Sequence, residues 1–446
     1  MNSHIMNAGW AYVPASDYCD KVTDGTHDSP KRSEQGKSLV TSKHIKGSSI
    51  DFNSTYLIST EDFNKINERS KVDQWDVIIS MIGEYCGFCY VEKNPIVEYA
   101  VKNVGMFKVG DRLKALWLYY YLNSGIGKDE LNNNRAGTSQ PYLTLGSLRN
   151  LPILVPDRKE TMENVVAILS ALDDKIELNR QTNATLETIA QAIFKEWFVD
   201  FNFPSTLVGA GSKPALKRSI PEGWHVGTLT DMIELNPKTS LKKGEIAKYV
   251  EMKDLSTGNA SINSFIEREF SSGSKFQQGD TLLARITPCL ENGKTCFVDF
   301  LEKDESGWGS TEFIVMRGQG FVSPYFVYCL AKQQSFREFA IQSMVGSSGR
   351  QRVVESILAD FPIIIPDELT MAKYHSIAES IFRKIKECAY QSRILVQIRD
   401  NLLPKLMNGE IDVRERAGLE PAPMTTMVSM PYEPTLTVNM HGHHEQ

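Results

Sequence analysis

The chain has 446 residues and a mass of 50.2 kDa, which is long enough for two or three domains that each bury a core. Its composition, 41% hydrophobic and 23% charged, is that of an ordinary globular protein, and no run approaches the roughly eighteen apolar residues of a membrane span. The net charge of −6 does not by itself indicate a nucleic-acid partner.

The N-terminal segment, residues 1–10, has no basic flank followed by an apolar stretch, so it lacks the pattern of a secretion signal. The seven cysteines of the chain are an odd number and lie scattered. That distribution favours a reducing compartment over a disulfide scaffold. We therefore expect a cytoplasmic protein.

Two segments of mixed composition, residues 9–157 and 221–367, predict two α+β domains. Short β-branched runs such as residues 76–80 and 295–301 have the pattern of strands, and turn-forming Gly, Asn and Asp residues separate them. A short amphipathic helix is predicted near residues 114–124. Each domain is therefore expected to be a globule rich in β-strands.

The second domain repeats the motifs of the first in the same order, at offsets of 204 to 214 residues. A period this long indicates duplicated domains, because the units of a solenoid run to only about 20–50 residues. The sequence thus predicts a pseudo-two-fold internal repeat. The motifs are GW, WDVIISMI and LPILVPD, beginning at residues 9, 75 and 151, which return as GW, GDTLLARI and FPIIIPD at residues 223, 279 and 361.

Each predicted domain is followed by a long segment, residues 158–203 or 368–412, whose apolar residues recur at alternating spacings of four and three. A repeat of 3.5 residues sustained over more than four heptads is typical of a coiled coil. We call these positions the seam. Its principal members are Leu169, Leu172, Ile176, Asn179, Asn183, Leu186 and Ile193 in the first helix, and Ile381, Ile385, Cys388, Ser392, Leu395 and Leu402 in the second.

Each seam has a small polar pair at its centre, Asn179 and Asn183 in the first helix, Cys388 and Ser392 in the second. If the helices run antiparallel, these pairs meet, and slipped registers that would bury the amides against leucine are penalised. Arg399 interrupts the second seam. An amphipathic helix packed on its own domain is the alternative that this pattern leaves open.

Two segments lie outside the repeated pattern. Residues 204–220 predict a linker between the first helix and the second domain. Residues 413–446 are rich in Pro and Met and predict a disordered tail.

Motifs of the common enzyme classes are absent: we find no GxxxxGK[ST], no GxGxxG after a strand, no GxSxG and no HExxH. Cys86 and Cys89 lack the second pair of a zinc site. Pro156-Asp157 followed by Asp173 and Lys175 has the spacing of a PD-(D/E)xK nuclease. However, the last two residues would point in different directions from a coiled-coil helix instead of converging on one metal. We therefore expect neither a catalytic residue nor a metal in this chain.

The chain resembles the DNA-specificity (S) subunits of type I restriction–modification systems over residues 9–413. The resemblance implies that the two α+β domains are target-recognition domains separated by an antiparallel two-helix coiled coil. The stretches that carry it are VTDGTHDSP, VTSKHIK, SIPEGW, ARITPCLENGKT, LDDKIELNRQTNATLETIAQAIFKEWF and LLPKLMNGEIDV.

The resemblance also implies a DNA-binding protein without an active site. Each recognition domain would read one half of an asymmetric, bipartite site in double-stranded DNA, and the coiled coil would set the spacer and dock two modification subunits. S-adenosylmethionine for adenine methylation, and ATP and Mg for the restriction subunits, are expected on those partners and not on this chain. Phosphate contacts shared with partners would reconcile the net charge of −6 with DNA binding. The alternative is a protein-interaction scaffold without DNA specificity.

Candidate DNA-contacting residues follow from residue type and loop position. Arg, Lys, Gln and Asn side chains suit contacts to base edges in the major groove. The cluster at residues 350–352, behind a glycine-rich turn, is the strongest of them. The candidates are Thr26, His27, Lys43, Arg135, Ser139 and Gln140 in the first domain, and Arg285, Asn292, Lys294, Arg350, Gln351 and Arg352 in the second.

Overall fold

The computed structural model describes residues 9–137, 140–202, 220–262, 264–347 and 349–413. The predicted linker and tail lie outside these ranges, apart from Ile220 and Val413, and so does Ser139. No helix in the described ranges is long and apolar enough to cross a membrane. The chain divides into two compact units, whose boundaries fall within two long helices, after Ala167 and after Leu403. Of the described residues, those up to Ala167 and from Pro404 to Val413 form unit 1, and those between Ile168 and Leu403 form unit 2.

Unit 1 is a mixed α/β globule from which the first long helix, α6 (Lys159–Phe198), leaves toward unit 2 along the chain. Its strands are β1 (Trp10–Pro14), β2 (Lys21–Asp24), β3 (Lys37–Thr41), β4 (Tyr56–Ile58), β5 (Val77–Ser80), β6 (Cys89–Val91), β7 (Tyr99–Lys102), β8 (Val104–Lys108) and β9 (Pro152–Pro156). Its shorter helices are α1 (Ala15–Tyr18), α2 (Thr60–Ser70), α3 (Arg112–Asn123), α4 (Gly125–Asn133) and α5 (Leu145–Arg149).

Unit 2 contains most of α6, a second globule and most of the second long helix, α10 (Glu368–Met407). Its strands are β10 (His225–Thr228), β11 (Ile233–Leu235), β12 (Ile246–Val250), β13 (Ile266–Glu269), β14 (Ser274–Gln277), β15 (Thr281–Ala284), β16 (Thr295–Phe297), β17 (Ser306–Gly309), β18 (Phe313–Gly318), β19 (Met344–Val345), β20 (Arg352–Val353) and β21 (Pro362–Ile365). Its shorter helices are α7 (Pro324–Lys332), α8 (Gln334–Gln342) and α9 (Glu355–Ala359).

The sheets of the two globules correspond, except that unit 2 has the additional edge strand β14 and the additional pair β19-β20, and this correspondence confirms the predicted internal repeat. In unit 1 the sheets run β2-β8-β5-β6, β4-β3-β7 and β1-β9, and β3 pairs with β7 in parallel. In unit 2 they run β11-β18-β15-β16, β13-β12-β17-β14 and β10-β21, and β12 pairs with β17 in parallel. The repeated motifs LPILVPD and FPIIIPD supply β9 and β21, each antiparallel to the first strand of its globule.

A buried ion pair also recurs in the two globules. Asp76 and Asp280 stand just before the central strands β5 and β15, and both are almost fully buried. Lys108 contacts Asp76 at 2.5 Å, and Arg317 contacts Asp280 at 2.7 Å, each from the neighbouring strand β8 or β18. Burial raises the pKa of each carboxyl, and the cation opposes that rise.

Helix α3 is buried on all sides from Ala115 to Leu122, so the predicted amphipathic character is wrong. The polar atoms of Trp117 and Tyr121 are satisfied by main-chain carbonyls, which offsets the cost of burying them. The indole N–H of Trp117 donates to the Leu154 carbonyl at 2.9 Å, and the Tyr121 hydroxyl donates to the Pro152 carbonyl at 2.7 Å. These bonds fasten α3 to β9.

Helices α6 and α10 pack antiparallel within unit 2, and they lie inside the predicted segments 158–203 and 368–412. Residue numbers fall along α10 as they rise along α6 through three hydrogen-bonded pairs. The seam side chains are buried or half-buried in both helices. The pairs are Arg399 to Asp173 at 2.9 Å, Asn179 to the Ser392 hydroxyl at 3.3 Å, and Asn183 to the Ile385 carbonyl at 3.2 Å.

The C-terminal part of α6 packs against the globule of unit 2, in addition to pairing with α10. Phe198 lies 4.9 Å from Phe326 of α7 and 5.9 Å from Trp224, measured between ring centroids. The buried Glu187 accepts a hydrogen bond of 2.5 Å from the hydroxyl of Tyr328, also on α7. The first long helix therefore belongs to the core of the second globule, which neither the coiled-coil pattern nor its alternative predicted.

Candidate functional site

In unit 1 the loop after β5 meets the loop before α5 through three backbone pairings. The amide of Leu143 donates to the Met81 carbonyl at 2.8 Å, and the amide of Gly83 donates to the Pro141 carbonyl at 3.2 Å. Between these bonds Ile82 and Tyr142 form an antiparallel bridge. We call this region, residues 81–88 with 135–137 and 140–143, the loop junction of unit 1.

Unit 2 has the same junction, formed by residues 285–294 with 344–347 and 349–353. The amide of Val353 donates to the Arg285 carbonyl at 2.9 Å, and the amide of Thr287 donates to the Gln351 carbonyl at 3.1 Å. Ile286 bridges Arg352. Each pairing is the counterpart of one in unit 1, so the second-domain candidates converge on one place, and Arg352 occupies the position that Tyr142 holds in unit 1.

Two candidates of the first domain, Arg135 and Gln140, lie in the loop junction of unit 1. Arg135 is half-buried, and its guanidinium donates to the Cys86 carbonyl at 2.5 Å. Gly87 has φ +91°, and a Cβ at this position would lie 2.7 Å from that guanidinium. Arg135 therefore holds the 81–88 loop in shape, whereas Gln140 is exposed and available for an outside contact.

Thr26 and His27 lie together on the loop after β2. Thr26 is buried, and its hydroxyl accepts the amide of Asp28 at 3.1 Å. The exposed His27 ring has one nitrogen 3.0 Å from the Asp24 carboxylate and the other 3.0 Å from the Asn103 side-chain oxygen. Thr26 thus shapes the loop, while His27 presents its ring to solvent.

Ser42 connects this loop to the junction. Its hydroxyl donates to the Asn103 carbonyl at 2.8 Å and accepts the amide of Met81 at 3.2 Å. Lys43, the next residue, is exposed. The structure therefore brings His27, Lys43 and the loop junction of unit 1 into one hydrogen-bonded region. Sequence reasoning missed Ser42 and Asn103; the available signal was an Asn between two strand patterns, and Asn103 takes up φ +54° there.

In unit 2 the cluster at residues 350–352 is divided between solvent and its own loop. Arg350 and Arg352 are exposed, and Gln351 is half-buried and joins the junction through its backbone. Three guanidinium-to-carboxylate contacts of 2.6 to 3.0 Å tie Arg352 to Glu312. The hydrogen bonds from Arg352 lower the pKa of Glu312, so a ligand that takes Arg352 must compete with an ionised carboxylate.

The remaining candidates of unit 2 also divide into residues that hold the loops in place and a residue that is exposed. Arg285 donates to the Glu355 carboxylate at 2.7 Å and to the Val353 carbonyl at 3.1 Å, so it braces the junction from within. Lys294 donates to a main-chain carbonyl at 2.7 Å, and Asn292 is exposed. Of the three, Asn292 has the geometry of a contact residue.

A cleft of about 380 Å³ lies beside Arg285 in unit 2. Its charged lining residues, Lys238, Lys275 and Arg285, are all cations, and Thr239, Ser274 and Thr311 add hydroxyl groups. Cations and hydroxyls are the side chains that contact DNA phosphates.

The cysteine pair has the environment of structural thiols. The Cys86 thiol lies 3.5 Å from the Met81 carbonyl, and Asn123 donates to the Cys89 sulfur at 3.1 Å. Burial raises the pKa of Cys89 to about 12, which disfavours the thiolate that binds zinc. Across the described ranges, no three His, Cys, Asp or Glu residues are grouped as metal ligands would be. Asp173 of the nuclease-like spacing is paired with Arg399.

The chain is similar to one protein-family model and to several known proteins of the same class. Residues 7–188 match the family model described as type I restriction modification DNA specificity domain. The chain is 26% identical over 345 residues to the type I restriction enzyme MjaIX specificity subunit of Methanocaldococcus jannaschii, covering 74% of this chain and 76% of that protein. It is 25% identical over 338 residues to the HindI specificity subunit of Haemophilus influenzae, covering 62% and 72%.

The fold is similar to a crystal structure of a type I restriction–modification S subunit from M. genitalium. The TM-score is 0.53 at 13% sequence identity, and the match covers 91% of this chain and 97% of that one. Likeness at this identity concerns the fold, and it agrees with the repeated globules and the paired long helices described above.

Proposed function

We propose that this chain is a type I DNA-specificity subunit, as its similarity to that family supports, and that each of its two globules reads one half of an asymmetric, bipartite site in double-stranded DNA. The observation that carries the proposal is the loop junction, which has the same backbone pairings in both units but different side chains. Tyr142 in unit 1 and Arg352 in unit 2 occupy the same position. One backbone framework with two sets of side chains suits the reading of two different half-sites.

The paired long helices are proposed to set the unread spacer between the half-sites. A fixed spacer needs a fixed register, and the Asn179 and Asn183 hydrogen bonds across to α10 favour one register over its neighbours. A slip of one heptad would keep the two seams facing each other but would separate Asn179 and Asn183 from these partners, which costs stability in a buried layer. The same helix pair is proposed to dock two modification subunits.

Catalysis is proposed to reside on the partner subunits. Adenine methylation with S-adenosylmethionine belongs to the modification subunits in this scheme, and ATP- and Mg-dependent cleavage belongs to the restriction subunits. The residues of this chain that most resembled catalytic or metal groups have other roles. Cys86 and Cys89 are buried thiols, and Asp173 pairs with Arg399.

The test is methylation-resolving sequencing of the host genome with and without this gene. We expect adenine methylation at a single two-part motif to disappear when the gene is deleted. If the methylome is unchanged, the chain is to be expressed beside an adenine methyltransferase subunit from the same locus in a methylation-free host. Failure to methylate there, and failure of the methyltransferase to copurify, would leave the protein-interaction scaffold as the function.

A further inference from the structure

The exposed surfaces of the two loop junctions differ in chemistry at equivalent positions. In unit 1 the Phe88 carbonyl accepts the Ser80 amide at 2.8 Å, and in unit 2 the Lys294 carbonyl accepts the Ala284 amide at 3.1 Å. Phe88 and Lys294 therefore correspond, as Tyr142 and Arg352 do. At both positions unit 1 has an aromatic residue where unit 2 has a cation.

The aromatic residues of unit 1 are exposed. Phe88 is 44% exposed, Tyr142 is 42% exposed, and Ile82, the bridge partner of Tyr142, is 43% exposed. Single apolar side chains on a surface are common and need no explanation. Here three of them lie on one pair of loops, and two of the three, Phe88 and Tyr142, occupy the positions of Lys294 and Arg352 in unit 2. We call these three residues the apolar patch.

Cations stand beside this patch. The Lys46 ammonium lies 3.6 Å from the centroid of the Tyr85 ring, and Phe88 meets the edge of that ring with centroids 5.6 Å apart. Arg135 lies beneath the same loop, against the Cys86 carbonyl. Glu84 is the only acidic residue in the sequence of the 81–88 loop. Apolar side chains next to cations match the major groove, where base edges with methyl groups lie between anionic phosphates.

We propose that unit 1 recognises 5-methyl groups of thymine in its half-site through Phe88, Tyr142 and Ile82, whereas unit 2 presents the hydrogen-bonding cation Arg352 at the position of Tyr142. The inference rests on the proposed function, since it names the chemical group that one recognition domain contacts. Among the four bases, thymine alone presents a methyl group in the major groove, and apolar side chains are its natural contacts. The two half-sites are thus told apart by different physical chemistry on one backbone framework.

Deoxyuridine tests the proposal because it removes the 5-methyl group and leaves the base-pairing and hydrogen-bonding edges of thymine unchanged. The chain is assembled with its modification subunits, and its affinity is measured for duplexes that carry deoxyuridine in one half-site, in the other, or in neither. We expect deoxyuridine in one half-site to weaken binding roughly fourfold for each contacted methyl group, with no effect in the other half-site.

The variants Phe88→Ala and Tyr142→Ala test whether that loss of affinity comes from the apolar patch. In each variant the deoxyuridine penalty should shrink or vanish, while affinity for non-specific DNA is unchanged. Phe88→Leu keeps an apolar contact and should keep most of the penalty. Ile96→Ala is the matched control, because Ile96 is an apolar residue of the same unit that is 77% exposed and lies outside the junction.

Three results would overturn the inference. One is equal affinity for thymine and deoxyuridine in both half-sites. Another is a penalty that persists unchanged in both alanine variants. The third is loss of the modification subunits from those variants, which would make the patch a protein-docking surface. A complex that showed no preference for any DNA sequence would instead refute the proposed function.

Discussion

At the scale of single residues, the arginines of the loop junctions have different roles, because their surroundings differ. Arg135 and Arg285 each donate hydrogen bonds to a main-chain carbonyl, and Arg285 also donates to the Glu355 carboxylate. Both residues therefore support the loops on which they lie. Arg350 and Arg352 are exposed at the end of the junction of unit 2. Only the second kind can exchange its partner for a base without disturbing the fold.

Substitution of Arg352 by alanine should therefore change specificity more than stability. If its guanidinium contacts a guanine, Arg352→Ala should cost about 1–3 kcal/mol at one base pair and relax recognition there alone. Arg285→Ala should instead lower the thermal unfolding midpoint, because a half-buried Glu355 loses its partner. Both variants are compared by unfolding and by binding to duplexes that differ from the site at one position.

The matched control for Arg352→Ala is Lys253→Ala, which also removes an exposed cation from an ion pair of unit 2. A uniform loss of affinity on all duplexes, with a shallower salt dependence, would make Arg352 a phosphate contact. Equal unfolding midpoints for wild type and Arg285→Ala would contradict its supporting role.

At the scale of elements, the one charged interruption of the seam turns out to be paired across the two long helices. Arg399 and Asp173 are 2.9 Å apart, and both are largely buried between α6 and α10. Burial alone would lower the pKa of Arg399, but its hydrogen bonds to Asp173 and Asp400 raise it above the ordinary value. The interruption of the heptad pattern is therefore a cross-helix contact, and it stands two turns from the central polar layer.

Breaking this pair on one side should cost more than replacing both partners. Asp173→Leu leaves the guanidinium with Asp400 alone beside apolar neighbours, and we expect a loss of about 1–3 kcal/mol, reduced from the fully buried case because solvent still reaches the pair. The double variant Asp173→Leu with Arg399→Leu should recover most of that loss. Denaturant unfolding measures both.

The control is Lys384→Ala, which removes an exposed ion pair with Glu387 on α10 and should change stability by less than about 0.5 kcal/mol. If the two leucine substitutions simply added their costs, the pair would contribute no coupling between the helices.

At the scale of the whole molecule, the proposed function depends on length as well as on side chains. The seam of α6 extends from Val165 to Trp197, and at 1.5 Å per residue this is roughly 50 Å of helix. A helix pair with a single register has a defined length, and a defined length is what an unread spacer of constant size requires.

Insertion of one heptad into each helix should lengthen the spacer and leave the half-sites unchanged. Seven residues after Ile176 and seven after Leu395 keep the seam in phase and add roughly 10 Å, or about 3 base pairs. Methylation-resolving sequencing of a host with the variant reports the new motif. A heptad in α6 alone is the control and should abolish methylation, because the two seams no longer match. Altered half-site sequences would contradict the proposed role of the helices.

Much of the architecture could be predicted because it is written in order and periodicity along the chain. The offset between LPILVPD and FPIIIPD indicated the duplication, and the alternating spacing of four and three indicated the helix pair. The contact between Asn179 and Ser392 was also predictable, since a polar pair at the centre of an apolar seam needs polar partners on the facing helix. The burial of α3 on all sides was not predictable, because the Tyr121 hydroxyl can be buried only with an acceptor such as the Pro152 carbonyl, which lies 31 residues away in the chain.

The sequence by itself indicated the resemblance to type I specificity subunits, the two repeated domains and the paired long helices, because each of these depends on motifs and spacings that a linear chain displays. Only the tertiary structure decided which side chains of the candidate loops are available. It turned Arg135, Arg285 and Lys294 onto carbonyls, and it exposed Phe88 and Tyr142, which had not been considered. The physical reason is that the junction joins loops some sixty residues apart, so the exposure of each side chain depends on a distant partner.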